Sequence, residues 1–125
     1  MLSSSPSLYL IPNFLGEQLL PEDNFPSGNA VIIRGLRYFL AENPKLARRL
    51  IQRVCPEINI RDLSIERMNK DSNEKDVKRL LAPLASGNSV GIISDAGCPA
   101  IADPGSVAVR YAHKLNITVR PLIGP

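Results

Sequence analysis

At 125 residues the chain has the size of one domain, long enough for a proper core and short for a two-domain enzyme. Its 44% hydrophobic and 22% charged residues suit a soluble globular protein, and the net charge of +3 permits a nucleic-acid partner without arguing for one. No apolar run nears the length of a membrane span, and the first residues lack a charged start with an apolar signal core, so no membrane association is expected. Cys55 and Cys98 stand far apart with no C-x-x-C pair, and His113 is the single histidine. A metal site or a Cys–His nucleophile has little support, no metal is expected, and a reduced, cytoplasmic setting fits.

Residues 1–7 read as a flexible tail, and residues 8–125 as one domain. Residues 8–12 read as a first strand, closed by Pro12-Asn13. Pro21, Pro26 and Gly28 mark residues 19–28 as a loop. Residues 29–36 are apolar but β-branched, so periodicity leaves helix and strand open, and residues 37–42 read as a second strand. Asn43-Pro44 then opens the clearest helix, with Asn43 as cap, Leu46, Leu50, Ile51 and Val54 as its apolar stripe, and Pro56 as its stop. Residues 63–68 alternate apolar with polar, as a half-buried strand does. Asn73 caps a further helix with Val77, Leu80, Leu81 and Leu84 inside, bent at Pro83 and ending near Gly87.

A fourth strand over residues 89–93 runs into Ser94-Asp95-Ala96-Gly97-Cys98-Pro99, and Asp103-Pro104-Gly105 opens a helix that reaches about Lys114, before a fifth strand from Thr118. Strand alternating with helix five times is the pattern of an α/β domain, a mainly parallel sheet covered on both faces. Such proteins hold ligands beyond the carboxyl end of a central strand. Gly97 and Ala96 allow close approach to the backbone there, and Asp95 offers an acceptor-only carboxylate. The same residues also serve as a turn and as a helix cap with proline at the first position, and they match neither the dinucleotide glycine fingerprint nor a P-loop. Arg48, Arg49 and Arg53, like Lys75, Lys78 and Arg79, fall at helical spacing, as solvated helix faces do, and the few aromatics form no RNA-binding signature.

Ile93 to Pro99, Asp103-Pro104-Gly105 and Val119 to Pro125 together resemble the S-D-A-G-x-P, D-P-G and P-x-x-G-P series of the tetrapyrrole methylase superfamily. Within it the similarity is greatest to the branch that methylates the ribose 2′-hydroxyl of a cytidine in small-subunit ribosomal RNA. It extends back through Leu8 to Pro12 and through Phe39-Leu40-Ala41-Glu42, covering nearly the whole chain but only the first half of a usual family member. The resemblance implies a Rossmann-like five-stranded domain, helix over residues 29–36, a second domain absent from this chain, and a homodimer. It implies S-adenosylmethionine as cofactor, held by Pro12, Ile93, Ser94, Asp95, Ala96 and Gly97, with rRNA of the small ribosomal subunit as partner.

Asn43-Pro44-Lys45 stands where that branch carries a D-T-R-like run, and Pro12-Asn13-Phe14-Leu15-Gly16 where it carries P-I-G-N-L, so these residues speak more for the cofactor than for the acceptor. A tetrapyrrole or other small-molecule acceptor stays open, as does a non-catalytic α/β binding or dimerisation module. A ribose hydroxyl would need a proton acceptor. Glu42 and Glu74 offer carboxylates, but each has a commoner structural role, and no catalytic base is assigned.

Overall fold

Alternation of side chains along short strands divides this chain between two apolar faces. The computed structural model describes residues 5–12, 27–68, 73–94 and 105–122, in which five strands form one sheet. These are β1 (Ser7–Ile11), β2 (Tyr38–Ala41), β3 (Ser64–Arg67), β4 (Val90–Ile93) and β5 (Thr118–Pro121). The order across the sheet is β3-β2-β4-β1-β5, and every pairing is parallel. Parallel neighbours need crossovers, and here helices supply them: α1 (Ser27–Arg34), α2 (Pro44–Val54), α3 (Glu74–Leu80), α4 (Ala82–Ala85) and α5 (Gly105–Lys114). No helix among the described residues is long and apolar enough to cross a membrane.

Leu8, Leu10, Leu40, Val90 and Ile92 point to one face, where they pack with Val77, Leu80, Leu81 and Leu84 of the α3–α4 stretch and Ala108 and Ala112 of α5. Ile11, Phe39, Ala41 and Ile93 point to the other, against Ile33 of α1 and Ala47, Leu50 and Ile51 of α2. The period of two in the strands and the stripe spacing in the helices thus meet in two separate cores. All four residues of β4 are buried, whereas the edge strands β3 and β5 are half-buried to exposed. Gly91 lies in the middle of β4. A Cβ added there would come within 2.8 Å of Ile11 Cδ1 and 3.0 Å of Leu36 Cδ1, so the glycine is what lets those side chains close over the centre of the sheet.

The termini of the helices follow from local chemistry. Asn43 Oδ1 accepts from the backbone N–H of Lys45 and Leu46 at 3.1 and 3.3 Å, ahead of Pro44 at the first helical position. Asn73 Oδ1 accepts from Asp76 N at 2.9 Å, with Glu74 and Asp76 in the first turn to oppose the helix dipole. Asn116 (φ 57°) closes α5, where Ile117 N bonds Ala112 O at 2.8 Å in a Schellman arrangement.

Several boundaries differ from expectation, with β2, β3 and β4 each starting one residue later than expected. The helix expected from Asn73 to near Gly87 is two helices, divided at Leu81. Pro83 has no N–H for the carbonyl of Arg79, and α4 restarts as a single turn that ends at Gly87 (φ 88°). Helix α1 makes residues 29–34 helical, ends at Arg34 two residues short of the expected Leu36, and takes Ser27 and Gly28 from the expected loop, the remainder of which lies outside the described residues. Strand β1 takes in Ser7, one residue ahead of the expected start. Ser7 is buried, and its N–H donates to Ser89 Oγ at 3.0 Å.

Two measurements test this packing. Gly91→Val drives two methyl groups into the Ile11–Leu36–Phe39 contact, and urea unfolding should show a loss of about 1–3 kcal/mol, the scale of core overpacking; undiminished stability would show that this core is loose. Cys55 is fully buried, and burial pushes its thiol up from the ordinary range although Arg34 pulls the other way. In a Cys98→Ser chain, Cys55 should therefore resist a thiol reagent at about pH 8 until the protein unfolds, and stability should fall as pH rises above the thiol's ordinary value, since the unfolded chain ionises first. Labelling at the rate of a free thiol would contradict that burial.

Candidate functional site at the carboxyl edge of the sheet

Because the sheet is wholly parallel, its strands all end at one edge, and register decides which residues meet there. Ile11 pairs with Ile93, and Ile93 with Ala41, so the next residues, Pro12, Ser94 and Glu42, form one row across the ends of β1, β4 and β2. Helices α1 and α2, which follow β1 and β2, pack on one face, and α5, which follows β4, packs on the other. Neighbouring parallel strands whose following helices lie on opposite faces mark, beyond their carboxyl ends, the place where open α/β sheets bind ligands.

Of the six residues expected to hold a cofactor, Pro12, Ile93 and Ser94 are brought together in this way. Asp95, Ala96 and Gly97 lie outside the described residues, as does Asp103. Pro12 is buried, and Ser94 is a buried polar residue only 8% exposed. The Ile93 side chain belongs to the core between the sheet and α1–α2, so its backbone is the part available to a ligand. Among the described residues no three His, Cys, Asp or Glu side chains gather as a metal would require.

The two carboxylates singled out by sequence part company. Glu42 is half-buried and stands in the row beside Ser94, a placement that only the β2–β4 register reveals. Glu74 is exposed in the first turn of α3, where its Oε1 accepts from Lys114 Nζ at 2.7 Å. That hydrogen bond first, and the ammonium charge second, hold its pKa below the ordinary carboxylate value. It ties α3 to α5 and takes no part in the strand-end row. The clusters Arg48, Arg49, Arg53 and Lys75, Lys78, Arg79 are exposed, as solvated faces should be.

No family model matches the chain, but curated proteins do. It is 32% identical over 122 residues to a protein of Micromonospora olivasterospora named ribosomal RNA small subunit methyltransferase I, covering 98% of this chain and 36% of that protein. Proteins of the same name from Escherichia coli O157:H7 (30% over 124 residues; 98% of this chain, 40% of that protein) and Buchnera aphidicola (29% over 117 residues; 94% and 38%) align along nearly all of it too. Along nearly its whole length the chain is similar to these methyltransferases, a likeness that fits the tetrapyrrole methylase superfamily. It spans less than half the length of these relatives.

The structural role of Glu74 has a direct check. In Lys114→Met the Glu74 carboxyl should titrate higher, back toward the ordinary range, in a carboxyl-detected NMR titration. The pair's contribution is present above the unfolded pKa of Glu74 and lost as pH falls through its lowered folded value, so the variant should show less acid sensitivity in that window. An unchanged Glu74 midpoint would sever the link to Lys114.

Proposed function

We propose that this chain forms the methyl-donor-binding portion of an S-adenosylmethionine-dependent methyltransferase that modifies a ribose 2′-hydroxyl in small-subunit rRNA. The observation that carries the reading is the near end-to-end alignment with proteins named as small-subunit rRNA methyltransferases, on a sheet whose Pro12–Ser94 row lies at the carboxyl ends of its strands. The row suits such a donor in its chemistry. Pro12 and Ser94 are small and buried, and Ser94 brings a hydroxyl.

When bound, the donor's sulfonium supplies an electrophilic methyl group and no metal is needed. The residues of the chain have the remaining work. In this reading Pro12 and the backbone of Ile93 and Ser94 shape one wall, Asp95 accepts hydrogen bonds from the donor's polar groups, and Ala96 and Gly97 let it lie against the backbone. Alignment of hydroxyl, methyl and sulfur supplies much of the rate. Glu42 stands in the row as a carboxylate able to accept the hydroxyl's hydrogen bond. A homodimer and a cytoplasmic setting belong to the same reading.

Titration calorimetry with S-adenosylmethionine tests it in the protein carrying this chain. Asp95→Ala should weaken binding by about 1.5–3 kcal/mol, the scale of a hydrogen bond to a charged group. Gly97→Val should weaken it by closing the approach. Unchanged affinity in both variants would remove the donor from this edge.

A further inference from the structure

A cavity among the described residues lies at the opposite end of the sheet from the strand-end row. It encloses about 350 Å³ where the strands begin, lined by Ser7 at the start of β1, Arg37 and Tyr38 at the start of β2, Asn88 and Ser89 ahead of β4, and Arg120 of β5. That volume is within the range of small-ligand sites. The four residues of β4, at about 3.3 Å each, put it roughly 13 Å from Ser94.

Among the described residues its lining is one-sided in charge, with two guanidiniums and no carboxylate. Ser7 N–H donates to Ser89 Oγ, and Arg120 Nε donates to Ser7 Oγ at 3.1 Å, so Ser7, itself held by Ser89, fixes the guanidinium from one side. The terminal nitrogens of Arg120 have no acceptor among the described residues, nor does the Arg37 side chain. The three ion pairs among those residues engage Arg34, Arg79 and Lys114 instead. Two forks of N–H donors in one cavity suit an anion with several oxygens, and the hydroxyls of Ser7 and Ser89 add donors of the right kind. The space exceeds what a bare oxyanion fills. Tyr9, half-buried and paired with Arg120 across β1 and β5, lines it as well and supplies aromatic surface of the sort on which a base rests, while Tyr38 borders it from the opposite face of the sheet.

We propose that this amino-edge cavity binds a nucleotide unit, with Arg37 and Arg120 on its phosphate. The source is either a free nucleotide or one residue of a single-stranded RNA. For the RNA source the proposal rests on the function proposed above, because an RNA held here would lie on the same domain as the methyl-donor edge.

Amide NMR titrations of the 125-residue chain with inorganic phosphate, uridine monophosphate and a short single-stranded RNA test it. Saturable shifts at Gly35, Asn88 and Ser89 are expected with the nucleotide or the RNA. RNA binding that is much tighter and falls with salt identifies the strand as the source, while equal affinities identify the free nucleotide. Arg37→Gln with Arg120→Gln should weaken binding about tenfold or more, with the remaining amide spectrum reporting an intact fold. Asn88→Asp, which adds a negative charge at the rim and leaves the Arg120–Ser7 bond alone, should weaken it as well. The proposal is overturned if none of the three ligands saturates these amides, or if both variants bind as tightly as the parent. It is also overturned if the shifts map instead to Arg48, Arg49 and Arg53. Titration of Ser94 by S-adenosylmethionine in the same sample reports on the methyltransferase reading separately.

Discussion

A four-residue strand buried on both faces is the constraint on which the rest of this structure depends. Strand β4 lies between β2 and β1, and its inward positions on one face are Val90 and Ile92, on the other Gly91 and Ile93. A strand so placed must give every N–H and C=O to its neighbours and every side chain to an apolar layer. Covering both faces of a parallel sheet takes crossover helices on each, and α1–α2 on one side with α3–α5 on the other meet that demand. The absent side chain at Gly91 lets Ile11, Leu36 and Phe39 converge over the strand. The switch of helices from one face to the other between β1 and β4 follows from the same arrangement, and open α/β sheets take ligands at such a point.

Local chemistry made the elements legible from sequence. Asn43-Pro44 and Asn73 announce helix starts that the structure confirms by hydrogen bonds, and the alternation of residues 63–68 announces β3. Strand order was not legible, because Leu8, Leu40 and Val90 are chemically interchangeable as far as neighbour choice goes, and pairing is decided by how whole layers pack. The helix break at Leu81 illustrates a competition that local rules leave open. A proline can bend a helix or end it, and burial of both Leu81 and Leu84 on either side of Pro83 is satisfied by ending and restarting.

The candidate site divides in the same way. Ile93 and Ser94 were legible as a strand tip because the apolar run stops abruptly before small polar residues. Glu42 could not be joined to them from sequence, since 51 positions of chain separate Glu42 from Ile93 and only the pairing of Ala41 with Ile93 closes the gap. The amino-edge cavity is less legible still. Its defining hydrogen bonds join residues 82 and 113 positions apart, and no local motif can announce a serine held by an arginine near the far end of the chain.

Charge is arranged around this apolar centre with a consistent logic. The exposed ion pairs Arg34–Glu57, Arg79–Glu66 and Lys114–Glu74 each join different elements at the periphery, and pairs so exposed contribute little to stability. They do remove carboxylates from competition. Glu57, Glu66 and Glu74 are occupied by cations along the helices and edge strand β3, whereas Glu42 at the strand-end row stands in no ion pair among the described residues. At the opposite edge the distribution inverts, with Arg37 and Arg120 outside those pairs. Strands only four or five residues long keep the two edges within about 13–17 Å of one another. The thinness of the sheet, set by its short strands, thus brings the Glu42 row and the two guanidiniums onto opposite edges of one narrow layer.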